Sequence, residues 1–186
     1  HEVSQKLFGD LYKTHPKISQ KLYKNYINKL CKIFKEIGIN INTVPVLDVI
    51  RQSTSKIIGE RSFSDKPNIV KKLGKICVNQ YKINKIATVI KHIPGHGCAS
   101  LDSHIKLPKV KLSYKDLKST DFKPFMLSSS LFAMTAHILY QNVDSINLAT
   151  FSSKIIARII RKKMKFKGII ISDDISMKAL RFDLIT

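Results

Sequence analysis

The chain has 186 residues, 44% of them hydrophobic, so it can bury one substantial core and is not a disordered polymer. Its formal net charge is +20, but 28 Lys and only 5 Arg carry it, spread along the whole chain. Base readers favour the bidentate Arg fork, so a Lys/Ile/Asn bias on solvated helix faces is the simpler account, and no nucleic-acid partner is expected.

The opening HEVSQKLFGD lacks the basic and apolar regions of a signal peptide, and lacks an initiator Met. The segment KISQKLYKNYINKLCKIFKEIG places Ile18, Leu22, Tyr26, Ile27, Leu30, Phe34 and Ile37 at helical spacing, with Gly38 as the stop. INTVPVLDV (41–49) reads as a β-rich run containing a proline. A second helix is expected after Pro67, with Ile69, Val70, Leu73, Ile76 and Cys77 on one face. Cys31 and Cys77 then lie on apolar helix faces as buried thiols. With Cys98 they make an odd, widely spaced set, which argues against a disulfide framework and fits a reducing compartment. The strand IATVIK (86–91) follows. A third helix is expected from Tyr114 to Leu127, bent near Pro124. Then come the strand LFAMTA (131–136), a helix over 153–164 with Ile155, Ile156, Ile159 and Ile160 inward, and the strand GIIIS (168–172). The end, KALRFDLIT, stops inside a helix-like pattern. No apolar run reaches the roughly 18 residues that span a bilayer, so no membrane partner is expected.

Helix then strand, four times over, with near-continuous apolar strands, predicts an α/β protein with a parallel sheet. Neither GxGxxG nor GxxxxGK[ST] opens a helix, so a nucleotide site has no local support. Each strand ends in polar groups: Asp48, then Lys91 and His92, then His137, then Asp173 and Asp174. Four such strand ends favour a (β/α)8 barrel over an open crevice. A full barrel takes about 250 residues. The expectation is a partial (β/α)8 TIM-type barrel, roughly strands three to six with both ends missing. Residues 1–186 are then a fragment of one domain.

The segment KHIPGHGCASLDSHIKLP (91–108) holds three histidines in one irregular loop. His92 and His96 are four apart, but Pro94 and Gly95 break any helical zinc spacing. Pro94 and Gly95 shape a tight turn, and Gly97 adds freedom. Lys91 at a strand end suits an anion or a polar ligand. Asp102 can hold His104 and favour its protonated form, making a general acid; an Asx-type turn is the bland alternative. Asp173 can be a nucleophile, a base, a ligand or a helix N-cap. Arg61 in IIGERSFSDKP either binds substrate or pairs with Glu60. A metal-dependent hydrolase using His92, His96, His137 and Asp173 is the rival enzyme reading, although no HxH pair ends a strand. A basic nucleic-acid binder is the other.

Taken together, KHIPGHG with DSH and LP, INTVPVLDV, IGERSFSDKP, AMTAHILYQNVDSINLATFS and GIIISDDISMKAL resemble, in order, the motifs of bacterial β-N-acetylhexosaminidases of glycoside hydrolase family 3. The resemblance spans about residues 39–180. It implies a retaining enzyme that removes terminal β-linked N-acetylglucosamine through a covalent glycosyl-enzyme. Asp173 matches the nucleophile, His104 the acid/base and Asp102 its partner. Arg61, Lys91 and His92 match residues that hold the sugar. The family role is recycling of cell-wall muropeptides in the cytoplasm, with no metal or cofactor, and a monomer is expected. Ile93 stands where the family has Phe, and Asn147-Leu148 where Pro is frequent. The family's DxEGGRxxR segment is absent from these 186 residues, so the isolated chain is expected to fold poorly or to be inactive.

Overall fold

The computed structural model describes residues 3–52, 54, 58–99, 107–126 and 128–180 of the chain. Two helices come first, α1 (Gln5–Thr14) and α2 (Pro16–Glu36). The hydrophobic pattern did not predict α1. Its signal was Ser4, whose Oγ accepts the Leu7 N–H as an N-cap at 3.3 Å. A Cβ on Gly9 would lie 1.6 Å from the Phe63 carbonyl oxygen, so only glycine lets α1 rest against that backbone.

Helix α2 begins with Pro16 in its first turn and stops before Gly38, which has φ +80°. Its buried stripe is Ser19, Tyr23, Ile27 and Cys31, four residues apart. Ile18 and Leu22, expected inward, are exposed. The reason is α1: the Ser19 hydroxyl donates to the Phe8 carbonyl at 2.7 Å, turning this side of α2 toward the first helix. Cys31 and Cys77 are buried as expected, and burial pushes the Cys77 thiol up to about 12.

The remaining elements are β1 (Ile41–Asn42), α3 (Pro67–Ile83), β2 (Ala87–Ile93), β3 (Lys109–Val110), α4 (Tyr114–Ser119), β4 (Phe132–Thr135), β5 (Leu139–Tyr140), a wide π-type helix (Lys154–Lys163) and β6 (Ile169–Ile171). The main sheet is parallel, in the order β1-β2-β4-β6, which is also chain order. Helical segments connect successive strands. This is the expected α/β, partial-barrel arrangement, and the sheet is open rather than closed. The exposed Ile41 and Ile169 lie in its strands, and the exposed Leu131 directly precedes β4. Strands β3 and β5 form a second, two-stranded parallel pair that periodicity did not reveal. The core lies between sheet and helices; side chains such as Phe63, Leu73 and Ile90 are fully buried there, each worth about 2–3 kcal/mol.

Three expected elements are shorter or wider than predicted. The 41–49 run is a strand only at its start, and after the cis Val44–Pro45 bond a single bridge joins Val46 to Lys91. Proline has no N–H to give a ladder. The third helix stops at Ser119, and Pro124 sits in a separate 3-10 turn, Lys123–Phe125; Leu127 lies outside the described residues. The fourth helix is π-type: the Met164 N–H reaches Ile159 O, five residues back. It still buries Ile155, Ile159 and Ile160.

Candidate active site

The site forms at the C-terminal ends of the parallel strands. Lys91 and His92 end β2, and alternation would send them to opposite faces. A register shift removes that constraint. Lys91 pairs with Met134 and Ile93 with Thr135, so His92 is the extra residue of a bulge. Bulges re-aim side chains in this way. Both the Lys91–His92 and Ile93–Pro94 peptides are cis.

Beneath His92 lies Asp48, a fully buried carboxylate. Its Oδ2 accepts His92 Nδ1–H at 2.7 Å. Its Oδ1 accepts the His96 N–H at 2.6 Å and the His92 N–H at 3.3 Å. Burial pushes this carboxyl up, but the imidazole charge and hydrogen bond of His92, with the contributions of His96, outweigh it and hold Asp48 below the usual carboxylate range. The other ring nitrogen of His92, Nε2, lies 3.8 Å from Asp173 Oδ2 at the end of β6.

Asp173 is partly exposed, and its Oδ1 accepts the Asp174 N–H at 2.9 Å. Asp174 behaves as a turn cap, its Oδ1 accepting the Ser176 N–H at 2.8 Å. The Asp pair therefore divides, with Asp173 facing His92 and Asp174 holding the following turn. Lys91 Nζ donates to Thr43 Oγ1 at 3.3 Å. Burial lowers the Lys91 pKa and so does nearby Arg61, while Asp173 and Asp48 act the other way. Arg61 ends a short 3-10 turn, Gly59–Arg61, and lines with Lys91 a cavity of about 410 Å³ that also takes in Val3, Gln5 and Thr43. A larger cavity of about 760 Å³ lies at the opposite ends of the strands, by Ala87, Leu131 and Gly168, away from these groups.

Four of the six expected site residues are thus brought to one end of the sheet: Asp173, His92, Lys91 and Arg61. The other two, Asp102 and His104, lie outside the described residues. His96 is buried, and its ring stacks edge-on against His92 at 5.7 Å. Among the described residues, no three His, Cys, Asp or Glu side chains converge as metal ligands would.

His137, a strand-end group, was expected as a metal ligand only in the rival hydrolase reading. It is buried, and its Nε2–H donates to the Asp174 carbonyl at 3.1 Å. Its Nδ1 is then the acceptor for the Thr150 hydroxyl at 2.7 Å. His137 thus ties the Asp173–Asp174 turn to the end of β4.

The two buried histidines make stability depend on pH. Burial, the largest cause in each case, pushes both His96 and His137 below the ordinary histidine value, despite the opposing Asp48 and Asp174 interactions. The unfolded chain takes up these protons near pH 6.5, before the folded chain does. Stability is therefore fully present above about pH 6.5 and falls as pH drops below it. The urea midpoint should be lower at about pH 5.5 than at pH 7.5, and His137→Gln should flatten the difference. A midpoint that does not change over this range would contradict the assignment.

The profile of the glycosyl hydrolase family 3 N-terminal domain matches residues 18–184. The β-hexosaminidase of Nitrosomonas eutropha is 32% identical over 176 residues, covering 93% of this chain and 50% of that protein. The β-hexosaminidase of Idiomarina loihiensis is 37% identical over 144 residues, covering 76% and 43%. Among solved structures, native NagZ from Neisseria gonorrhoeae superposes with a TM-score of 0.87 at 29% identity, covering 94% of this chain and 51% of that one. A glycoside hydrolase family 3 β-N-acetylglucosaminidase from Paenibacillus sp. gives 0.82 at 30% identity, covering 87% and 31%. The chain spans about half the length of the bacterial β-hexosaminidase from N. eutropha.

Proposed function

The chain belongs to the glycosyl hydrolase family 3 N-terminal domain family, and on that premise we propose that it is the catalytic barrel portion of a retaining β-N-acetylhexosaminidase. The observation that carries this reading is the placement of Asp173, His92, Lys91 and Arg61 at one end of the sheet, with the two cations on a sugar-sized cavity. The Asp173 carboxylate attacks the anomeric carbon while the aglycone oxygen leaves with a proton; water then releases the sugar. His104, held by Asp102, is the proposed proton donor and later the base that activates water. His92, Lys91 and Arg61 hold the hydroxyl and acetamido groups of the terminal N-acetylglucosamine. The proposed substrates are β-linked N-acetylglucosamine ends of cell-wall muropeptides, processed in the cytoplasm by a monomer. Residues 1–186 are read as part of one such domain.

The test treats the complete enzyme that contains this domain with a 5-fluoro glycosyl fluoride of N-acetylglucosamine. Time-dependent inactivation with one glycosyl adduct mapped to Asp173 supports the mechanism and the residue together. An adduct elsewhere, or no adduct alongside activity lost to a chelator, overturns the proposal.

A further inference from the structure

We infer that Asp48 is a positioning residue that decides which ring nitrogen of His92 carries the proton, and so the hydrogen-bonding character of the edge His92 turns toward Asp173. The inference concerns Asp48 and His92 alone; only its effect on turnover rests on the glycosidase reading.

Asp48 is fully buried, so it cannot meet a substrate and acts only through its neighbours. A buried carboxylate is tolerated when donors surround it, and this one has three. Two of them are backbone amides on Oδ1, fixed in direction by the bulged end of β2 and the turn that follows. The third is the imidazole, on Oδ2. An ionised carboxylate only accepts hydrogen bonds, so Nδ1 must hold the proton. In the neutral ring Nε2 is then a bare acceptor, 3.8 Å from Asp173 Oδ2. That separation is too long for a direct hydrogen bond. A sugar hydroxyl in the site can donate to Nε2, and the ring adds no second donor to compete for the nucleophile's oxygen.

Asp48→Asn separates this role from plain scaffolding. The two backbone N–H groups keep the amide oxygen on their side, leaving the NH2 to face Nδ1. Two donors cannot share that contact, so the ring proton moves to Nε2. Shape is nearly conserved while the polarity of the working edge is reversed.

The experiment is ring 15N–1H correlation spectroscopy on protein labelled with 15N-histidine, for wild type and Asp48→Asn, with kcat and KM on a chromogenic β-N-acetylglucosaminide. In wild type the neutral His92 ring should show a protonated Nδ1 and a bare Nε2; Asp48→Asn should exchange the two. Its kcat/KM should fall about 10–100-fold. A wild-type His92 protonated on Nε2 overturns the inference, whether or not the variant folds. Lost turnover with the tautomer unchanged also overturns it, since that is the mark of scaffolding alone. Turnover is measured on the complete enzyme that contains this domain; if neither its wild type nor its variant hydrolyses the glycoside, the glycosidase reading fails, and the spectra still decide the role of Asp48.

Discussion

Replacing Asp173 with Asn should lower kcat on a β-N-acetylglucosaminide by about 10³-fold or more, a barrier increase of about 4 kcal/mol. Stability should barely change, by about 0.5 kcal/mol or less. The Asp173 side chain is 23% exposed, and among the described residues its oxygens meet a neighbouring turn amide and, at a distance, the edge of His92. Asn keeps the size and one acceptor oxygen for the Asp174 N–H, but its amide cannot form the glycosyl ester. Asp174→Asn is the informative partner variant. Its oxygen can still take the Ser176 N–H, so activity should stay within about tenfold of wild type. Equal losses from both variants would mean that the nucleophile has been assigned to the wrong group, or that the turn acts as a unit.

Replacing Gly97 with Ala should cost about 3 kcal/mol or more and reduce substrate binding along with stability. The new Cβ would lie 1.9 Å from Val49 O, 2.7 Å from its carbonyl carbon and 2.8 Å from its nitrogen. All three are backbone atoms, so no rotamer change relieves the collision. The preceding residue, His96, gives its N–H to Asp48, so a shift of this turn disturbs the support of His92 as well. Gly38→Ala is the control. Gly38 has φ +80°, but nothing would lie within 4 Å of a Cβ there, so only the backbone preference is lost, about 1 kcal/mol. Urea denaturation compares the two; a Gly97→Ala midpoint no lower than that of Gly38→Ala would refute the close approach.

Much of the site was legible because strand ends are legible. A carboxylate or imidazole directly after an apolar run announces itself, and Asp48, His92, His137 and Asp173 all do so. Their division of labour was not legible. Asp48 and His137 look as catalytic in sequence as Asp173 does, yet both are buried supports. The Asp173–Asp174 pair was likewise ambiguous until one member faced His92 and the other took the turn amide. The expected acid/base pair, Asp102 and His104, rests on its spacing and the family motif and lies outside the described residues.

By itself, the amino-acid sequence determined the order of the main-sheet strands and of the helical segments from α2 onward, the parallel sheet, the buried Cys31 and Cys77, and the strand ends at which the chemistry gathers, but not α1 or the β3–β5 pair. These follow from local periodicity and from apolar runs, which need no knowledge of distant residues. Tertiary structure alone decided three things. It turned Ser19 rather than Ile18 and Leu22 inward, because α1 packs there. It placed the bulge at His92, because β4 pairs with two registers of β2. And it joined Asp48 to His92 across 44 residues of chain. Each is a contact between segments far apart in sequence, whose partners no local pattern specifies and whose geometry exists only once the sheet has formed.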